Sequence, residues 1–433
     1  MGSYEAVKVR LDPTPRQERL MASHAGAARF AYNAGLAHVK EALDNGEPAD
    51  WSHYSLRRWW NENKDELAAN KTTGEVWWSQ NSKESYSGGL RSLAQGLSNW
   101  SKSRKGQRKG KRVGFPRFKS KNTVMRFEYS TGFTAPTAGD PYGLKLPRIG
   151  RVHCMENVYD RVNGARLVRI TVSRRAGNWC ASLTVEREQP SSPAHTLKRG
   201  AVGVDLGVKN LATLSDGTVI PNPRALGARL KALRKAQKAL SRKVKGSARR
   251  EKARERVARL YARVADVRAD VINKATTMIT RTYSVVCVED LNVAGMVKNH
   301  SLARSLSDAS LGEFRRQLEY KTARTGAVLR VVDRWFPSSK TCSNCGVVKA
   351  KLPLSERTFN CDDCGASMDR DLNAAINIRV AGSAPEMLNA RGGDVRRTVG
   401  NAVPGEARTK QAQKSAVRLG AGLGNEAMQP SVN

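Results

Sequence analysis

The strongest constraint on this chain is a pair of Cys-x-x-Cys knuckles, Cys342/Cys345 and Cys361/Cys364, with fifteen residues between them. This is the spacing of a four-thiolate zinc ribbon, in which each knuckle supplies two tetrahedral ligands. Gly346 and Gly365 follow the second cysteine of each pair. A tight turn with positive φ there frees backbone N–H groups for the sulfurs. Four matched ligands leave no open coordination position, so one Zn²⁺ bound there is structural. Two reversible disulfides are the competing reading of the same residues. With four of its seven cysteines in knuckles, the chain points to a reducing cytosol and not to a disulfide framework. Cys154, Cys180 and Cys287 lie in apolar, strand-like contexts and read as inert core thiols.

A ribbon by itself names no activity, and charge narrows the field. Across 433 residues, 75 Lys+Arg against 39 Asp+Glu leave a net charge of +36. A compact fold with that charge repels itself unless a polyanion neutralises it, so nucleic acid is the expected partner. The length suggests about three domains of roughly 150 residues. No run of about 18 apolar residues and no signal-peptide core occurs, which sets membrane insertion and secretion aside.

The chain opens with VKVRL (7–11), alternating like a half-buried strand. Thr14, Pro15 and Gln17 then form a capping-box helix start. Helical sequence runs on to about Lys102 and contains Trp51, Trp59, Trp60, Trp77, Trp78 and Trp100. Most of these indoles are expected in the core, with base stacking as the alternative use. The stretch SKSRKGQRKGKR (101–112) is a basic, glycine-spaced arm suited to phosphates, with Lys105, Lys109, Lys111 and Arg112 as candidate contacts. From Val113 to Glu188 short alternating strands suggest a small β-barrel, to which the first strand returns after the helical insertion. Residues 189–199 read as a linker. AVGVDLG (201–207), SVVCVED (284–290) and VLRVVD (328–333) are buried strands of a third, α/β domain. Between them, 225–281 predicts a helical hairpin broken at Lys245-Gly246-Ser247, with Leu226, Leu230, Leu233, Leu240 and Val244 on one stripe. Asn373–Val380 predicts a helix, and the Gly/Ala/Pro/Arg-rich end predicts disorder.

The chemistry lies in carboxylates. Asp205 lies near the end of the first buried strand, Glu289 ends SVVCVED, and Asp369 and Asp371 precede the last helix. A carboxylate within an apolar strand is costly to bury without a partner. Three that converge make an oxygen cage for Mg²⁺. Two ions about 3.5–4 Å apart would activate a water and stabilise the leaving 3′ oxygen of a phosphodiester. Strand alternation points Glu289 and Asp290 to opposite faces, so only one can serve. Asp371, nearer the helix, is the choice at DRD. Asp369 is held in reserve as a cap. Gly207 is expected to let backbone approach closely, and Lys209 to reach a phosphate.

VGVDLGVKNLATLSDG, VCVEDLNV, WFPSSKTCSNCG and CDDCGASMDRDLNAAINI resemble the TnpB (OrfB) family encoded by insertion sequences. That family is similar in turn to the small type V CRISPR effector nucleases. GKRVGFPRFKSK and the tail segment LNARGGDVR extend the resemblance over nearly the whole chain. It implies an α/β and β multi-domain protein. An RNase-H-like (RuvC) nuclease domain (196–335, with hairpin 223–282, and 369–382) would hold an inserted zinc ribbon (336–368). A wedge β-barrel (1–12 and 111–195) would carry an inserted helical recognition domain (13–110), and 383–433 would form a basic tail. The implied activity is RNA-guided cleavage of double-stranded DNA beside a short transposon-adjacent motif, with the guide taken from the element's right-end transcript. The RuvC triad carries onto Asp205, Glu289 and Asp371 as Mg²⁺ ligands. For motif contacts the family uses a Lys and a Gln before the basic arm. Lys83 matches here, Ser87 stands in place of the Gln, and Gly88-Gly89 is expected to weaken the helix. A monomeric, cytoplasmic, nucleoid-associated prokaryotic protein follows. The rivals are a guide-bound repressor that does not cut, a CRISPR effector of the same plan, and a tyrosine transposase. The six histidines contain no His-x-His pair for the last.

Overall fold

The computed structural model describes residues 3–70, 72–121, 124–187, 199–353 and 355–383. The expected linker up to Lys198 and the expected disordered tail from 384 onward lie outside them. β1 (Ser3–Asp12) leads through the predicted cap into α1 (Pro15–Asp44). Thr14 accepts from the Gln17 N–H, and the Gln17 side chain accepts from the Thr14 N–H. The expected continuous helical stretch is three helices, with α2 (His53–Leu67) and α3 (Lys83–Arg104) following α1.

β2 (Arg126–Tyr129), β3 (Gly143–Leu146), β4 (Gly150–Cys154), the short α4 (Val158–Val162), β5 (Arg166–Arg175) and β6 (Asn178–Arg187) complete the N-terminal half. The strand order is β2-β5-β6-β1-β4-β3, antiparallel throughout. β1 lies between β6 and β4, so the first strand does return after the helices. The expected barrel is a half-barrel: β2 and β3 end the sheet and do not pair. Its alternate residues, among them Val7, Val9, Phe127, Leu144, Val172 and Leu183, share one core with Met21, Ala25 and Ala28 of α1. His24 sits fully buried at this junction. Its Nδ1 lies 2.8 Å from the Leu20 carbonyl, which leaves Nε2 to accept from the Ser82 N–H at the start of α3.

Gly88 and Gly89 do not break α3; they are where other elements press on it. A Cβ on Gly89 would lie 2.1 Å from the Ala28 carbonyl oxygen of α1, and one on Gly88 would lie 2.5 Å from Glu128 of β2. Tertiary packing outweighs the helix propensity of glycine here, which costs only about 1 kcal/mol per residue.

The second half is built on β7 (Arg199–Leu206), β8 (Asn210–Leu214) and β9 (Val219–Pro221). The hairpin α5 (Ala225–Ser241) and α6 (Ala248–Thr282) follows, then β10 (Tyr283–Glu289), α7 (Val293–Met296), α8 (Ala303–Ala309), α9 (Leu311–Thr325) and β11 (Val328–Val332). The sheet order is β11-β10-β7-β8-β9, with β10 parallel to both neighbours and β7-β8-β9 antiparallel. The hairpin turns at Gly246, φ 85°, as expected. Val244 leaves the predicted stripe because α5 ends at Ser241, and its side chain is exposed in the loop. Asp308 of α8 accepts from the Leu226 and Gly227 N–H groups at the start of α5 and pairs with Arg268 of α6, which ties both arms of the hairpin to α8.

The two faces of this sheet divide by residue parity. Val202, Val204, Val286 and Val288 face α6 and α9, packing with Ile272, Ile279, Phe314 and Leu318. Gly203, Asp205, Cys287 and Glu289 alternate with them and face the other way. That second face takes α10 (Arg370–Ser383), which follows the small hairpin of β12 (Thr358–Asn360) and β13 (Ser367–Asp369). α10 starts three residues before the predicted Asn373. Its backbone lies directly on β7: a Cβ on Gly203 would sit 1.9 Å from the Ala375 carbonyl oxygen and 2.5 Å from the Arg379 nitrogen. Gly382 meets Cys287 of β10 in the same way, at 2.5 Å from Sγ. Gly203→Ala should therefore lift α10 from the sheet, costing at least the ~1–3 kcal/mol typical of overpacking. A denaturant melt measures it, and a melt equal to that of the parent protein would contradict the packing described.

Candidate active site and zinc ribbon

Strand register brings the first two acids together. In the parallel pair, Val286, Cys287 and Val288 lie opposite Val202, Gly203 and Val204. One further step sets Glu289 beside Asp205 at the carboxyl ends of neighbouring strands, about 4.8 Å apart in backbone terms. Both are on the face that α10 covers. Asp371 arrives from the first turn of α10.

The electrostatics bear the mark of this convergence. Burial, and then the negative charges of Glu289 and Asp371, push the Asp205 carboxyl up to about 8. Burial also raises Glu289, although the Ser338 hydroxyl donates to its Oε1. The Asp205 side chain has no hydrogen bond or ion pair among the described residues, and the Arg370 charge lowers its carboxyl only in part. The three carboxylates do not all fall within 4.8 Å of one another, a closeness that only the four cysteines reach among the described residues. Hard carboxylate oxygens are the donor set Mg²⁺ takes.

The neighbouring acids have other work. Asp290 turns to the opposite face, where Arg315 at 2.5 Å and Arg334 hold its carboxyl well below the usual range. Asp369 caps α10, its Oδ1 accepting from the Asp371 and Leu372 N–H groups at 2.9 and 3.1 Å. A cleft of about 300 Å³ opens beside Glu289, walled by Leu206, Leu291, Val293, Leu311, Arg315 and Arg334.

The four cysteines form one cluster, with Sγ–Sγ distances of 3.6 Å for Cys342–Cys364 and 3.5 Å for Cys345–Cys361. Covalent sulfurs would stand at about 2.05 Å. Zn–S bonds of about 2.3 Å place tetrahedral sulfurs roughly 3.8 Å apart. The cluster is thus compatible with zinc and not with the disulfide reading. Gly346 and Gly365 have φ of 82° and 72°. Beyond them, the Val347 and Ala366 N–H groups donate to Cys345 and Cys364. The Asn344 amide, followed by that Ala366 N–H, draws the Cys364 thiol down to about 6.

Two buried amides bind the ribbon to α10. Asn373 Nδ2 donates to the Thr341 carbonyl while its Oδ1 accepts from the Ser343 N–H, at 2.7 and 2.9 Å. Asn377 Nδ2 reaches the Ser338 and Thr341 carbonyls at 2.8 and 2.7 Å. These residues, like Gly203 and Ser338, were not singled out from sequence. The available signal was two asparagines four apart in the otherwise apolar LNAAINI.

The expected nucleic-acid contacts fall elsewhere. Lys105, Lys109, Lys111 and Arg112 are exposed just beyond α3, and Lys209 is exposed at the β7–β8 turn. Gly207 does meet backbone closely there, with 3.0 Å between its built Cβ and the Asn210 oxygen. Lys83 is exposed on the first turn of α3. Ser87, by contrast, is buried, and its hydroxyl lies 3.1 Å from His53 Nε2. The tryptophans expected in the core pack there: Trp60 stacks on Tyr86, and Trp100 meets Trp51 and Phe115 edge-on.

Comparison with known proteins places these features. Residues 182–300 match the OrfB_IS605 family, described as "Probable transposase". Residues 312–378 match the Cas12f1-like TNB domain. Residues 1–47 match the helix-turn-helix domain of OrfB_IS605, although in this chain they comprise one strand and one unbroken helix. A Mycobacterium tuberculosis H37Rv protein provisionally named RNA-guided DNA endonuclease Rv2885c is 38% identical over 434 residues, covering 95% of this chain and 94% of its own. This chain belongs to the OrfB (TnpB) family. The Escherichia coli K12 relative InsQ, with the same provisional activity in its name, is 31% identical over 89% of the OrfB chain and 94% of its own. A solved Cas12f1–sgRNA–target DNA complex superimposes with TM-score 0.45 at 15% identity, covering 87% of this chain and 99% of that one.

Two outcomes follow for the OrfB protein. Cys361→Ser should abolish zinc binding by the cluster and, through Asn373 and Asn377, loosen the start of α10. Metal content and the melting curve report both. Asp205→Asn should stabilise the protein in chelator. A raised carboxyl pKa means that the fold's contribution is intact below about pH 4 and is lost as pH rises through about 8. The melting-temperature gap in favour of Asn should widen over that window, by roughly 2–4 °C for each kcal/mol relieved.

Proposed function

We propose that this OrfB protein is an RNA-guided, Mg²⁺-dependent endonuclease that cuts double-stranded DNA beside a short transposon-adjacent motif. The observation that carries the reading is the convergence of Asp205, Glu289 and Asp371 on one sheet face, where burial and mutual repulsion raise Asp205. The names of the relatives and the net charge of +36 agree with it. The sheet order β11-β10-β7-β8-β9 supports an RNase-H-like (RuvC) domain over 196–335 and 369–382, with the ribbon of 336–368 inserted ahead of its last helix. The half-barrel supports the wedge of 1–12 and 111–195, and α1–α3 the recognition insert of 13–110.

In this reading Asp205, Glu289 and Asp371 hold two Mg²⁺. Bound there, the ions supply charge neutralisation and Lewis-acid polarisation at the scissile phosphate. Ser338 orients Glu289, and the cap at Asp369 fixes the turn that presents Asp371. Lys209, Lys83 and the arm bearing Lys105, Lys109, Lys111 and Arg112 contribute positive charge for nucleic-acid backbones. The fold reads heteroduplex shape and the short duplex motif, while pairing with a guide from the element's right end reads sequence. The protein acts as a monomer.

The test is to purify the protein with its RNA, sequence that RNA, and offer a matching duplex. A defined scaffold ending in a guide, and Mg²⁺-dependent cutting that chelator abolishes, are expected. Asp205→Ala should drop cutting below detection with guided binding intact. An Asp205→Ala protein that still cuts would remove the carboxylate assignment, and random copurifying RNA would remove the guided reading. Binding without any cutting by the parent protein would point to the repressor instead.

A further inference from the structure

The chain has eight tryptophans, and seven are engaged. Trp51, Trp59, Trp60, Trp77, Trp100 and Trp179 pack against other rings, and Trp78 donates to Asp65 beneath the Lys64 ammonium. Trp335 is different. It is 84% exposed, and its indole meets no partner among the described residues. The turn that carries it is nevertheless clamped. The Trp335 N–H donates to Asp333 Oδ1 at 2.8 Å, and the Phe336 and Ser338 N–H groups close tight turns at 3.1 and 2.8 Å. On one side Arg334 pairs with Asp290 and walls the cleft beside Glu289. On the other, the Ser338 hydroxyl donates to Glu289 and Asn377 Nδ2 holds the Ser338 carbonyl. The carboxylate site thus fixes the backbone on both sides of an indole held out in water.

We propose that Trp335 is a stacking platform for one base of the DNA strand that enters the carboxylate site. This inference rests on the nuclease reading above. Stacking suits such a site because every base has a π-face, so the platform is indifferent to sequence. A protein whose specificity comes from a guide needs that indifference at its cutting centre. The strand must be single there, since paired bases are not free to stack on a side chain. Reach sets the register. Ser338 lies three positions beyond Trp335, at most about 11 Å of chain. Even at the stacked duplex spacing of about 3.4 Å per nucleotide, which a single strand exceeds, that spans no more than roughly three nucleotide steps.

The experiment uses the full chain with its guide RNA. In the Asp205→Ala background, which holds substrate uncut, 2-aminopurine is placed at successive positions around the cut site of the target. Quenching is expected at a position within roughly three nucleotides of the cut. Trp335→Ala should abolish it and Trp335→Phe should restore it. With Asp205 intact, Trp335→Ala should slow cutting of saturating target about tenfold or more, with unchanged guided-binding affinity. Phe should rescue and Leu should not. Equal cutting by Trp335→Ala, rescue by Leu as good as by Phe, or a lowered melting temperature or zinc content in Trp335→Ala would each overturn the platform. If the parent protein itself cuts nothing, the nuclease reading falls and takes the platform with it. Normal cutting that ignores Trp335 removes the platform alone.

Discussion

The backbone of α10 lies directly on β7 at Gly203, and the candidate site depends on that contact. Parallel pairing already sets Asp205 beside Glu289 at adjacent strand ends. Only the helix brings Asp371 to them, and it can approach because position 203 has no side chain. Gly382 provides the same clearance over β10 at the far end of the helix. The ribbon adds the remaining restraint. Its last strand runs straight into α10, and Asn373 and Asn377 bond the first knuckle to the helix. The four-cysteine cluster and a candidate carboxylate therefore share one rigid element.

The site is electrostatically costly, and the fold confines that cost. Asp290 and Asp369 sit one and two residues from the converging acids, yet neither adds its charge without compensation. Asp290 has two arginines, and Asp369 accepts two helix N–H groups. The Asp205 side chain has no hydrogen bond or ion pair among the described residues; burial, and then repulsion from Glu289 and Asp371, raises it, with the Arg370 charge acting the other way. Strain of this kind is expected where a fold trades stability for a site. A bound divalent cation would relieve it.

In the N-terminal half, aromatic packing among α1, α2 and α3 makes a second core, with Trp60, Tyr86 and Leu36 at its centre. The half-barrel forms a separate core beneath α1. Gly88 and Gly89 are the points of closest approach between the two. A dipeptide that weakens an isolated helix is, in the folded chain, what allows three elements to meet.

The sequence by itself determined what local chemistry can determine. Knuckle spacing and the glycines after it identify four converging thiolates. Alternation identifies the buried strands and shows that Glu289 and Asp290 cannot face one way. The cap at Thr14 and the break at Gly246 are likewise local. Family motifs then attach roles to Asp205, Glu289 and Asp371. What only the tertiary structure decided depends on distant segments meeting. Strand register, the open edge of the half-barrel, the use of Gly203 and Gly89 as contact points, the burial of Ser87 and the exposure of Trp335 all belong to that class. Side-chain periodicity reports which face a residue occupies, whereas proximity depends on which strands pair and in what register, and no local pattern encodes that.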